Sequence, residues 1–346
     1  MGRVFRCALQ YDREEATAPP AVIAKFPTED LGYRSLLDQF AVYEREVRFY
    51  SELRDDCPIP TPVCYFADRD PASGDFLILL EDLAPAQPGK PIAGCTRGEA
   101  LAAVELIAKM HSRWWTDKRL DSLEWLATPD VPRMELFISR NYHDAWRAFA
   151  RRSSNHLPAH LSRAGRLLGR HLLTVLRRLS SPPRTLVHGD FQLGNIFFSE
   201  AGTIRAVADW QVVVRARGPM DLGHFVVRSL DPAERRTAEA DLIRRYHEIL
   251  VRSGIEAYSL QDCWDDYRLS VLSQFGLGIV LEYALSRHKR EEPAEDAALQ
   301  ALSVVSGRLF AAIDDLRPEE LLPREPLWRR YLPSSWGGQS QAQISG

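Results

Sequence analysis

Two spacings of hydrophobic residues divide the chain. Short apolar runs with β-favouring residues at Arg3–Leu9 and Ala21–Phe26 predict strands, and the polar segment between them ends in Pro-Pro. Apolar residues in Leu36–Arg54 recur every three to four positions, which predicts a helix. The runs Val63–Ala67 and Phe76–Leu80 predict two more strands joined by a turn. The first 83 residues therefore indicate a small lobe of strands with one helix.

A segment rich in proline and glycine, residues 84–97, follows and is typical of a linker. Beyond it the spacing predicts six helices: Arg97–Trp115, Met134–Arg152, Leu161–Leu179, Pro232–Ser253, Leu260–Arg287 and Ala294–Leu316. One strand-rich island interrupts them, consisting of Thr185–His188, Ile196–Phe198 and Ile204–Ala208. We expect an α+β protein with a small β-rich lobe at 1–83, a linker at 84–97, a helical lobe at 98–316 and a C-terminal arm at 317–346 packed through Trp328, Tyr331 and Trp336.

Composition narrows the class of protein. The 346 residues are 45% hydrophobic and 26% charged, as in a globular protein with a sizeable core. The net charge of −3 gives no basic field for nucleic acid, and no apolar run approaches the ~18 residues that span a bilayer. We therefore expect neither nucleic acid nor a membrane as a partner.

Charge and cysteine usage add two further expectations. Residues 1–83 contain 9 Arg and Lys against 16 Asp and Glu, whereas the remainder is net positive, which supports a boundary near residue 83. The five cysteines are scattered, without a Cys-x-x-Cys pair, and the N-terminus has no long apolar stretch. This favours reduced thiols in the cytoplasm. The oligomeric state does not follow from the sequence.

The strand-rich island carries the candidate chemistry. An apolar strand ends in His188-Gly189-Asp190, Asn195 follows five positions after Asp190, and a later strand ends in Asp209-Trp210. A hairpin would bring the two aspartates and the asparagine to one end of a small sheet. Phosphoryl transfer needs one carboxylate to orient the attacking hydroxyl, and an amide and a carboxylate oxygen to hold Mg²⁺. A surface hairpin rich in turn residues would not need all these groups at this spacing.

The motif His188-Gly189-Asp190-x4-Asn195, followed by Asp209-Trp210-Gln211, resembles the aminoglycoside phosphotransferase and choline kinase superfamily. The longer form HGDFQLGNIFF … ADWQVVVRARGPMDLGHF is most similar to its ecdysteroid-kinase-like branch. The resemblance implies the two-lobed protein-kinase-like fold, with a small β-rich N-lobe containing one helix and a large, mainly helical C-lobe. It also implies a phosphotransferase that uses ATP and Mg²⁺ and transfers the γ-phosphate to a hydroxyl of a small molecule.

The resemblance assigns roles to individual residues. Asp190 corresponds to the catalytic base, and Asn195 and Asp209 correspond to the Mg²⁺ ligands. His188 and Asp221 correspond to residues that support the catalytic loop. For Asp221, a carboxylate that simply favours a helix N-terminus is an equally acceptable interpretation.

The fold also requires a lysine on a strand and a glutamate on the next helix. Lys25, the only lysine among the first 89 residues, lies between apolar strand residues and is predicted to contact the α- and β-phosphates; the alternative is a solvent-facing lysine on an edge strand. Glu46 lies in the apolar stripe of the helix and is the preferred partner, with Glu44 as its competitor. Backbone groups near Glu81 and Leu83 are predicted to meet the adenine.

One feature departs from the pattern of the family. A glycine-rich loop is expected over the phosphates, yet the chain begins Met1-Gly2-Arg3 and the next glycine is Gly32. Either the loop is reduced or the sequence starts downstream of its natural start. The departure favours a second hypothesis, a nucleotide-binding pseudokinase or scaffold, whereas the Asp190 motif argues against it. A protein kinase is a third, weaker hypothesis, because few residues separate Asp209 from Asp221.

The acceptor site is the least determined part of the sequence. Four residues at the start of a predicted helix are candidates for binding a cationic acceptor: Asp262, Asp265, Asp266 and Tyr267. Acidic residues at a helix start are also expected from the helix dipole. The next stretch, Val271–Leu285, is largely apolar and faces either the core or a bulky apolar alcohol. We expect a small hydroxylated acceptor whose identity stays open.

Overall fold

The N-terminal lobe of the computed structural model is an antiparallel sheet of four strands in the order β1-β2-β4-β3. The strands are β1 (Arg3–Ala8), β2 (Ala21–Phe26), β3 (Cys64–Arg69) and β4 (Phe76–Glu81). The structure describes residues 2–13, 17–153, 157–287 and 296–323, with backbone alone for 296–302. The predicted C-terminal arm with its aromatic residues lies outside the described residues.

The predicted helix Leu36–Arg54 is divided in the structure. Helix α1 spans Leu31–Gln39, helix α2 spans Val42–Arg48, and a π-helical turn (Phe49–Leu53) and a short 3₁₀ turn (Arg54–Asp56) continue α2. The division lies at Ala41, whose φ of 52° is left-handed and cannot continue a right-handed helix. Because α2 starts after this break, its buried face carries Glu46 towards the sheet.

The C-terminal part is mainly helical. Its helices are α3 (Arg97–Arg113), α4 (Lys118–Ser122), α5 (Pro132–Arg152), α6 (Ala159–Ser180), α7 (Pro219–Ser229), α8 (Pro232–Arg252), α9 (Leu260–Ser286) and α10 (Asp296–Leu316). The six long helices predicted from the spacing are confirmed to within two residues at each end. Helices α4 and α7, both of which are short, were not predicted from the sequence, and α7 begins at Pro219, directly after Gly218.

Helix α9 forms the centre of the C-terminal part and packs against α5, α6 and α7. It is long and apolar enough to cross a membrane, but most of its apolar stretch is buried inside the protein. Residues Val271, Phe275 and Val280 of this stretch are fully or almost fully buried. The apolar segment Val271–Leu285 therefore mainly faces the core, which is what a central helix of a bundle requires.

The strand-rich island forms two small sheets. Strand β6 (Thr185–Val187) pairs with β9 (Val214–Ala216), and β7 (Ile196–Phe198) pairs with β8 (Ile204–Val207). Strand β5 (Gln87–Pro88), inside the predicted linker, adds to the edge of β7. The loop that contains Asp190 thus runs from the end of one sheet to the start of the other and is anchored on both sides.

Candidate active site

The loop that carries Asp190 is held from below by Asp221. The Oδ2 atom of Asp221 accepts the backbone N–H of His188 at 2.7 Å, and its Oδ1 atom accepts that of Gly189 at 2.8 Å. The ring of His111 lies 3.2 Å from Oδ2 through Nε2, and Tyr246 lies 2.8 Å from Nδ1 of the same ring. Burial would raise the pKa of Asp221, but His111 and the backbone N–H of Gly189 outweigh it and lower the pKa. Asp221 is therefore a charged, fully buried anchor for the loop.

The turn at Gly189 leaves no room for a side chain. Its φ is +85°, and a Cβ atom at this position would lie 2.4 Å from the carbonyl oxygen of Val212. Glycine is the residue that adopts this conformation without a steric cost. The backbone therefore makes a tight turn here, after the buried strand β6, and Asp190 follows at a partly exposed position.

The imidazole of His188 is fixed by a hydrogen bond on each nitrogen. Its Nδ1 accepts the backbone N–H of Asp190 at 3.2 Å, and its Nε2 lies 3.0 Å from the carbonyl oxygen of Ala208. Since a carbonyl oxygen only accepts, Nε2 carries a proton. His188 thus connects the Asp190 loop to the strand end that precedes Asp209, and its role is structural.

Three neighbours hold the Asp190 carboxylate. Asn195 donates from Nδ2 to Asp190 Oδ2 at 3.0 Å and to its backbone oxygen at 2.8 Å, and Gln192 donates to both carboxylate oxygens at 3.1 Å. His224 Nε2 lies 3.1 Å from Oδ1. Burial would raise the pKa of Asp190, but His224, His188 and Gln192 outweigh it and lower the pKa to about 2. The group is therefore a fixed carboxylate at every physiological pH.

A second group of charges bridges the two lobes. Lys25 on β2 donates from Nζ to Glu46 Oε1 at 2.5 Å and to Asp209 Oδ1 at 2.9 Å. The side chain of Glu46 is 2% exposed, whereas Glu44 is at the surface and pairs with Arg48. Lys25 and Asp209 are 184 positions apart in the sequence, so this contact joins the N-terminal sheet to the strand-rich island.

Burial and charge oppose each other in this triad. Burial disfavours the charged form of Lys25, but the carboxylates of Glu46 and Asp209 outweigh it and raise the lysine pKa above its ordinary value. Burial raises the pKa of Glu46, although Lys25 opposes this. At neutral pH we take the pair as ammonium and carboxylate, because each charge has the other within hydrogen-bond distance.

Aromatic stacking fixes the position of Asp209. The next residue, Trp210, stacks on Phe49 with ring centroids 3.8 Å apart and an angle of 5° between the planes. Its indole N–H donates to the carbonyl oxygen of Val207 at 3.0 Å. Asp209 itself has a φ of 67° and accepts from Gln211 at 3.0 Å. Phe49 extends α2, the helix of Glu46, so the aspartate and the glutamate are held by one packed unit.

The Lys25 triad borders a cleft together with Asn195, the residue that donates to the Asp190 carboxylate. This cleft has a volume of about 510 Å³, with Lys25, Glu46, Asn195 and Asp209 at its polar end. The remainder of its lining is mostly apolar and comes from both lobes, including Val4, Ile23, Leu80, Leu83, Phe197 and Ala208. A flat aromatic group fits the apolar part, and the oxygens of an attached anion fit the part around Lys25.

The predicted hinge residues border the same cleft but use different atoms. Glu81 accepts the backbone N–H of Val63 at 3.1 Å and pairs with Arg205, so its carboxylate is engaged outside the polar end. The carbonyl oxygen of Leu83 accepts from Ala86 at 2.9 Å, and its side chain packs in a small apolar cluster. Among the described residues no hydrogen bond uses the backbone N–H of Leu83, which leaves this donor for a ligand.

The donor set at the polar end fits a magnesium ion. Asn195 uses its amide nitrogen for Asp190, which leaves its oxygen as an acceptor, and Asp209 contributes a carboxylate. Mg²⁺ prefers such oxygen ligands and is commonly bound through one or two side chains together with substrate phosphates. Within the described ranges no group of three or more His, Cys, Asp or Glu forms a metal site by itself. A metal ion at this position would thus be coordinated partly by Asn195 and Asp209 and partly by the phosphate oxygens of a bound ligand.

The residues predicted to bind a cationic acceptor are engaged elsewhere. Asp266 is fully buried and accepts from Arg217 at 2.7 Å and from Tyr258 at 2.8 Å. Tyr267, also buried, donates to Glu239 at 2.6 Å. Asp262 accepts from the helix-capping Ser259, and Asp265 accepts from Gln261. The structure does not bring these four residues together with Asp190, because their contacts stabilise α9 and its neighbours.

Sequence reasoning missed three residues around Asp190. Gln192 and His224 contact the carboxylate, and Arg228, near it, donates to Gln274 at 3.0 Å. Burial lowers the pKa of Arg228 and the Asp190 carboxylate opposes this, so the two charges are close. A signal was present, because His224 follows Asp221 by three positions and therefore lies on the same face of a helix. It could be used only once α7 was recognised.

Comparison with known proteins defines the class. The chain has the kinase-like fold of two lobes, and the sequence model of the ecdysteroid kinase-like family matches residues 1–256. The chain belongs to this family. No curated protein is significantly similar to it in sequence.

Solved structures support the fold at low sequence identity. A putative aminoglycoside phosphotransferase from Ralstonia eutropha JMP134 has a TM-score of 0.50 and 15% identity over 88% of this chain and 87% of that chain. The GDP complex of an aminoglycoside 2′-phosphotransferase-IIIa variant has a TM-score of 0.51 and 11% identity over 85% and 87%. Choline kinase LicA from Streptococcus pneumoniae has a TM-score of 0.48 and 14% identity over 89% and 93%.

Proposed function

We propose that this chain is an ATP- and Mg²⁺-dependent phosphotransferase that moves the γ-phosphate to a hydroxyl group of a small molecule. The observation that carries the proposal is the contact of Lys25 with both Glu46 and Asp209 at the polar end of the interlobe cleft. A buried ammonium between two carboxylates, next to an apolar slot, is the arrangement that positions a nucleotide triphosphate in kinases.

The proposal gives each residue of the polar end one task. Lys25, oriented by Glu46, binds the α- and β-phosphates. The side-chain oxygens of Asn195 and Asp209 hold the Mg²⁺, which neutralises charge on the phosphates when it is bound. The apolar part of the cleft holds the adenine, with the N–H of Leu83 and the backbone near Glu81 at its edge.

Asp190 orients the acceptor. The hydroxyl oxygen attacks the γ-phosphorus, the bond from that phosphorus to the β,γ-bridging oxygen breaks, ADP leaves, and the hydroxyl proton passes to Asp190. A carboxylate with a pKa of about 2 is a weak base, so its contribution is mainly to align the nucleophile. This suits a loose transition state, in which little proton transfer is needed before the phosphorus–oxygen bond breaks.

The acceptor class rests on the family and its neighbours. The solved relatives are named as an aminoglycoside phosphotransferase and a choline kinase. Aminoglycosides and choline are both small molecules with hydroxyl groups. We place the reaction in the cytoplasm, where the five free cysteines of this chain would stay reduced.

A coupled assay for ADP release tests the proposal. The protein is incubated with ATP, Mg²⁺ and a library of hydroxylated metabolites, and hits are confirmed by mass spectrometry of the phosphorylated product. Asp190→Asn should lower kcat by about 10³-fold while ATP still binds, since the neutral amide no longer aligns the acceptor hydroxyl as the carboxylate does and cannot take its proton. Asp241→Asn, at an exposed carboxylate of α8, is the matched control and should retain full activity.

A nucleotide-binding pseudokinase or scaffold is the second candidate, because the contacts of Lys25 with Glu46 and Asp209 would serve nucleotide binding without transfer. Its signature would be tight ATP binding by calorimetry with no ADP release and no phosphorylated product from any library member. That result, or an Asp190→Asn enzyme with the wild-type rate, would refute the proposed transfer reaction.

A further inference from the structure

A groove separate from the nucleotide cleft lies where the two lobes meet. It has a volume of about 510 Å³ and is bordered by α1 of the small lobe and by α5 and α9 of the large lobe. Its lining includes Phe40, Arg133, Phe137, Arg140, Asn141 and Arg287. None of its lining residues is shared with the nucleotide cleft. The groove is therefore a second concave surface that contacts both lobes.

The charge of this groove is of one sign. Arg133, Arg140 and Arg287 contribute three guanidinium groups, and no aspartate or glutamate is among the lining residues. In the described part of the chain, no carboxylate lies within ion-pair distance of any of the three. Most other arginines of this protein are paired with carboxylates. For example, Arg177 of α6 pairs with Glu135 of α5, the helix that also carries Arg133 and Arg140. Arg287 also lies over the ring of Tyr283, 5.8 Å from its centroid, and Arg133 also borders a neighbouring pocket that contains Glu44 and Glu52. The lining of the groove itself has guanidinium groups and no carboxylate, and such a surface attracts an anion.

A buried arginine behind the groove strengthens the argument. Arg45 on α2 is only 7% exposed, and its one hydrogen bond runs from Nη2 to the carbonyl oxygen of the groove residue Phe40, at 2.7 Å. Its Nε atom is buried without a partner. Burial first, and then the nearby charge of Arg133, lower the pKa of Arg45 to about 10, whereas the carboxylate of Glu44 partly opposes them. A buried cation beside a second cation is costly unless an anion compensates it.

The walls of the groove are apolar between the charges. Phe40, which caps the C-terminus of α1, and Phe137 of α5 meet edge to face with ring centroids 5.0 Å apart. Leu36 and Leu136 lie on the same two helices and also line the groove. A purely inorganic anion would leave these walls exposed to water, whereas a ligand with a hydrocarbon part would cover them.

We propose that the groove between α1, α5 and α9 binds an amphipathic organic anion, a molecule with a carboxylate or phosphate head group and an apolar body. The head group neutralises Arg133 and Arg140. The positive charge of Arg45, which is buried next to the groove, adds to the attraction. The apolar body packs on Phe40 and Phe137. This site is independent of the phosphoryl-transfer chemistry at Asp190 and makes contact with both lobes at once.

Calorimetric titration of the full-length protein with octanoate and with monooctyl phosphate tests the site. Both anions should bind, and octan-1-ol, with the same hydrocarbon chain and no charge, should bind at least about tenfold more weakly. Arg133→Gln and Arg140→Gln should each weaken anion binding by about tenfold, because each removes charge-assisted hydrogen bonds. Arg147→Gln, an exposed arginine of α5 outside the groove, should leave it unchanged.

Two further measurements separate this site from the proposed enzyme activity. Saturating ATP should not displace octanoate, and Lys25→Met should bind octanoate as the wild type does even if it no longer binds ATP. Arg45→Met should raise the thermal midpoint of the ligand-free protein, because it removes a buried cation, and should reduce the additional shift produced by octanoate. Equal binding of octan-1-ol and octanoate, or anion binding that both Arg133→Gln and Arg140→Gln leave unchanged, would overturn the proposal.

Discussion

His224 and Asp190 are in direct contact, with Nε2 of the imidazole 3.1 Å from Oδ1 of the carboxylate. Burial and the nearby Arg228 lower the pKa of His224, so the ring is neutral at physiological pH. The imidazole lowers the pKa of Asp190 because it lies against Oδ1 and its charge, once the ring is protonated at acid pH, favours the carboxylate. His224 is therefore a positioning residue for Asp190.

This contact predicts a change in pH dependence. In the wild type the depressed pKa of Asp190, about 2, keeps the group ionised, so we expect no acid limb in kcat/KM above about pH 4. In His224→Phe, burial without the imidazole raises the Asp190 pKa, and the acid limb should move to higher pH. The measurement is kcat/KM from pH 4.5 to 9, with His143→Phe, exposed on α5, as the control. An unchanged profile in His224→Phe would show that the ring does not act on Asp190.

The same shift has a consequence for stability. A carboxyl whose pKa is depressed in the folded state stabilises that state above its unfolded pKa, near 3.9. This contribution is lost as the pH falls from about 4 towards 2. We expect the free energy of unfolding of the wild type to decrease more steeply than that of Asp190→Asn between pH 5 and pH 3. Urea denaturation at each pH measures the difference.

The Lys25–Glu46 pair predicts a separation of stability from ligand binding. Lys25→Met leaves Glu46 buried without its cation and should cost about 3 kcal/mol of unfolding free energy. Adding Glu46→Leu removes the stranded carboxylate and should restore most of the stability. Neither the single nor the double variant should bind ATP with the wild-type affinity. The checks are urea denaturation and calorimetric titration with ATP, and a double variant that binds ATP normally would remove Lys25 from the nucleotide site.

Asp221 predicts a large structural effect of a small substitution. Asp221→Asn replaces one of two accepting oxygens by a donor that faces the N–H groups of His188 and Gly189. We expect a loss of about 3 kcal/mol in unfolding free energy, since a buried charged acceptor of three hydrogen bonds is removed. The exposed carboxylate of Asp241 provides the comparison, because Asp241→Asn should change stability by about 0.5 kcal/mol or less. Equal stability of the two variants would contradict the bracing role of Asp221.

The turn at Gly189 predicts a loss of activity caused by geometry alone. Gly189→Ala has to adopt a positive φ and meets the Val212 carbonyl, so the loop moves and kcat should fall by about 100-fold. Gly202, in the turn between β7 and β8, is the matched control, because its φ is +76° and a Cβ atom there would have no other atom within 4 Å. Gly202→Ala has the same unfavourable backbone conformation without the collision, and it should keep its activity.

Helices and strands could be predicted from the sequence more completely than contacts between side chains. Long periodic helices were recognisable because each buries one apolar face, and the island was recognisable because His188, Asp190 and Asn195 are close in the sequence. The division of the first helix was not, since Ala41 has no residue-specific signal for a left-handed conformation. The burial of Asp266 could not be read either, because it depends on Arg217, which is 49 positions away and reaches it only after folding.

The same reasoning explains which parts of the site were predictable. Lys25 was chosen because the Asp190 motif implies a fold with a lysine on a strand, since its strand context alone fits a solvent-facing lysine equally well. Glu46 was preferred to Glu44 from the stripe of the helix, a choice that agrees with the position of Glu46 at 2.5 Å from Lys25. Gln192 and His224 were missed because their importance comes from the direction of their side chains. A glutamine in a loop and a histidine in a short helix have many other uses.

The stack of Trp210 on Phe49 gives the interlobe cleft a mechanical property. The ring of Trp210, next to the proposed metal ligand Asp209, packs flat against Phe49 in the extension of α2, and α2 carries Glu46, the partner of the lysine. The lobes therefore cannot separate at this point without exposing two large aromatic surfaces to water. We therefore expect the two lobes to rotate about this aromatic pair when the cleft opens for nucleotide exchange. The largest displacement is expected at the opposite edge of the cleft, which is lined by β1 and the segment after Leu83. Lys25, Glu46 and Asp209 would keep their mutual contacts during this motion, while the adenine end of the cleft opens to bind and release the nucleotide.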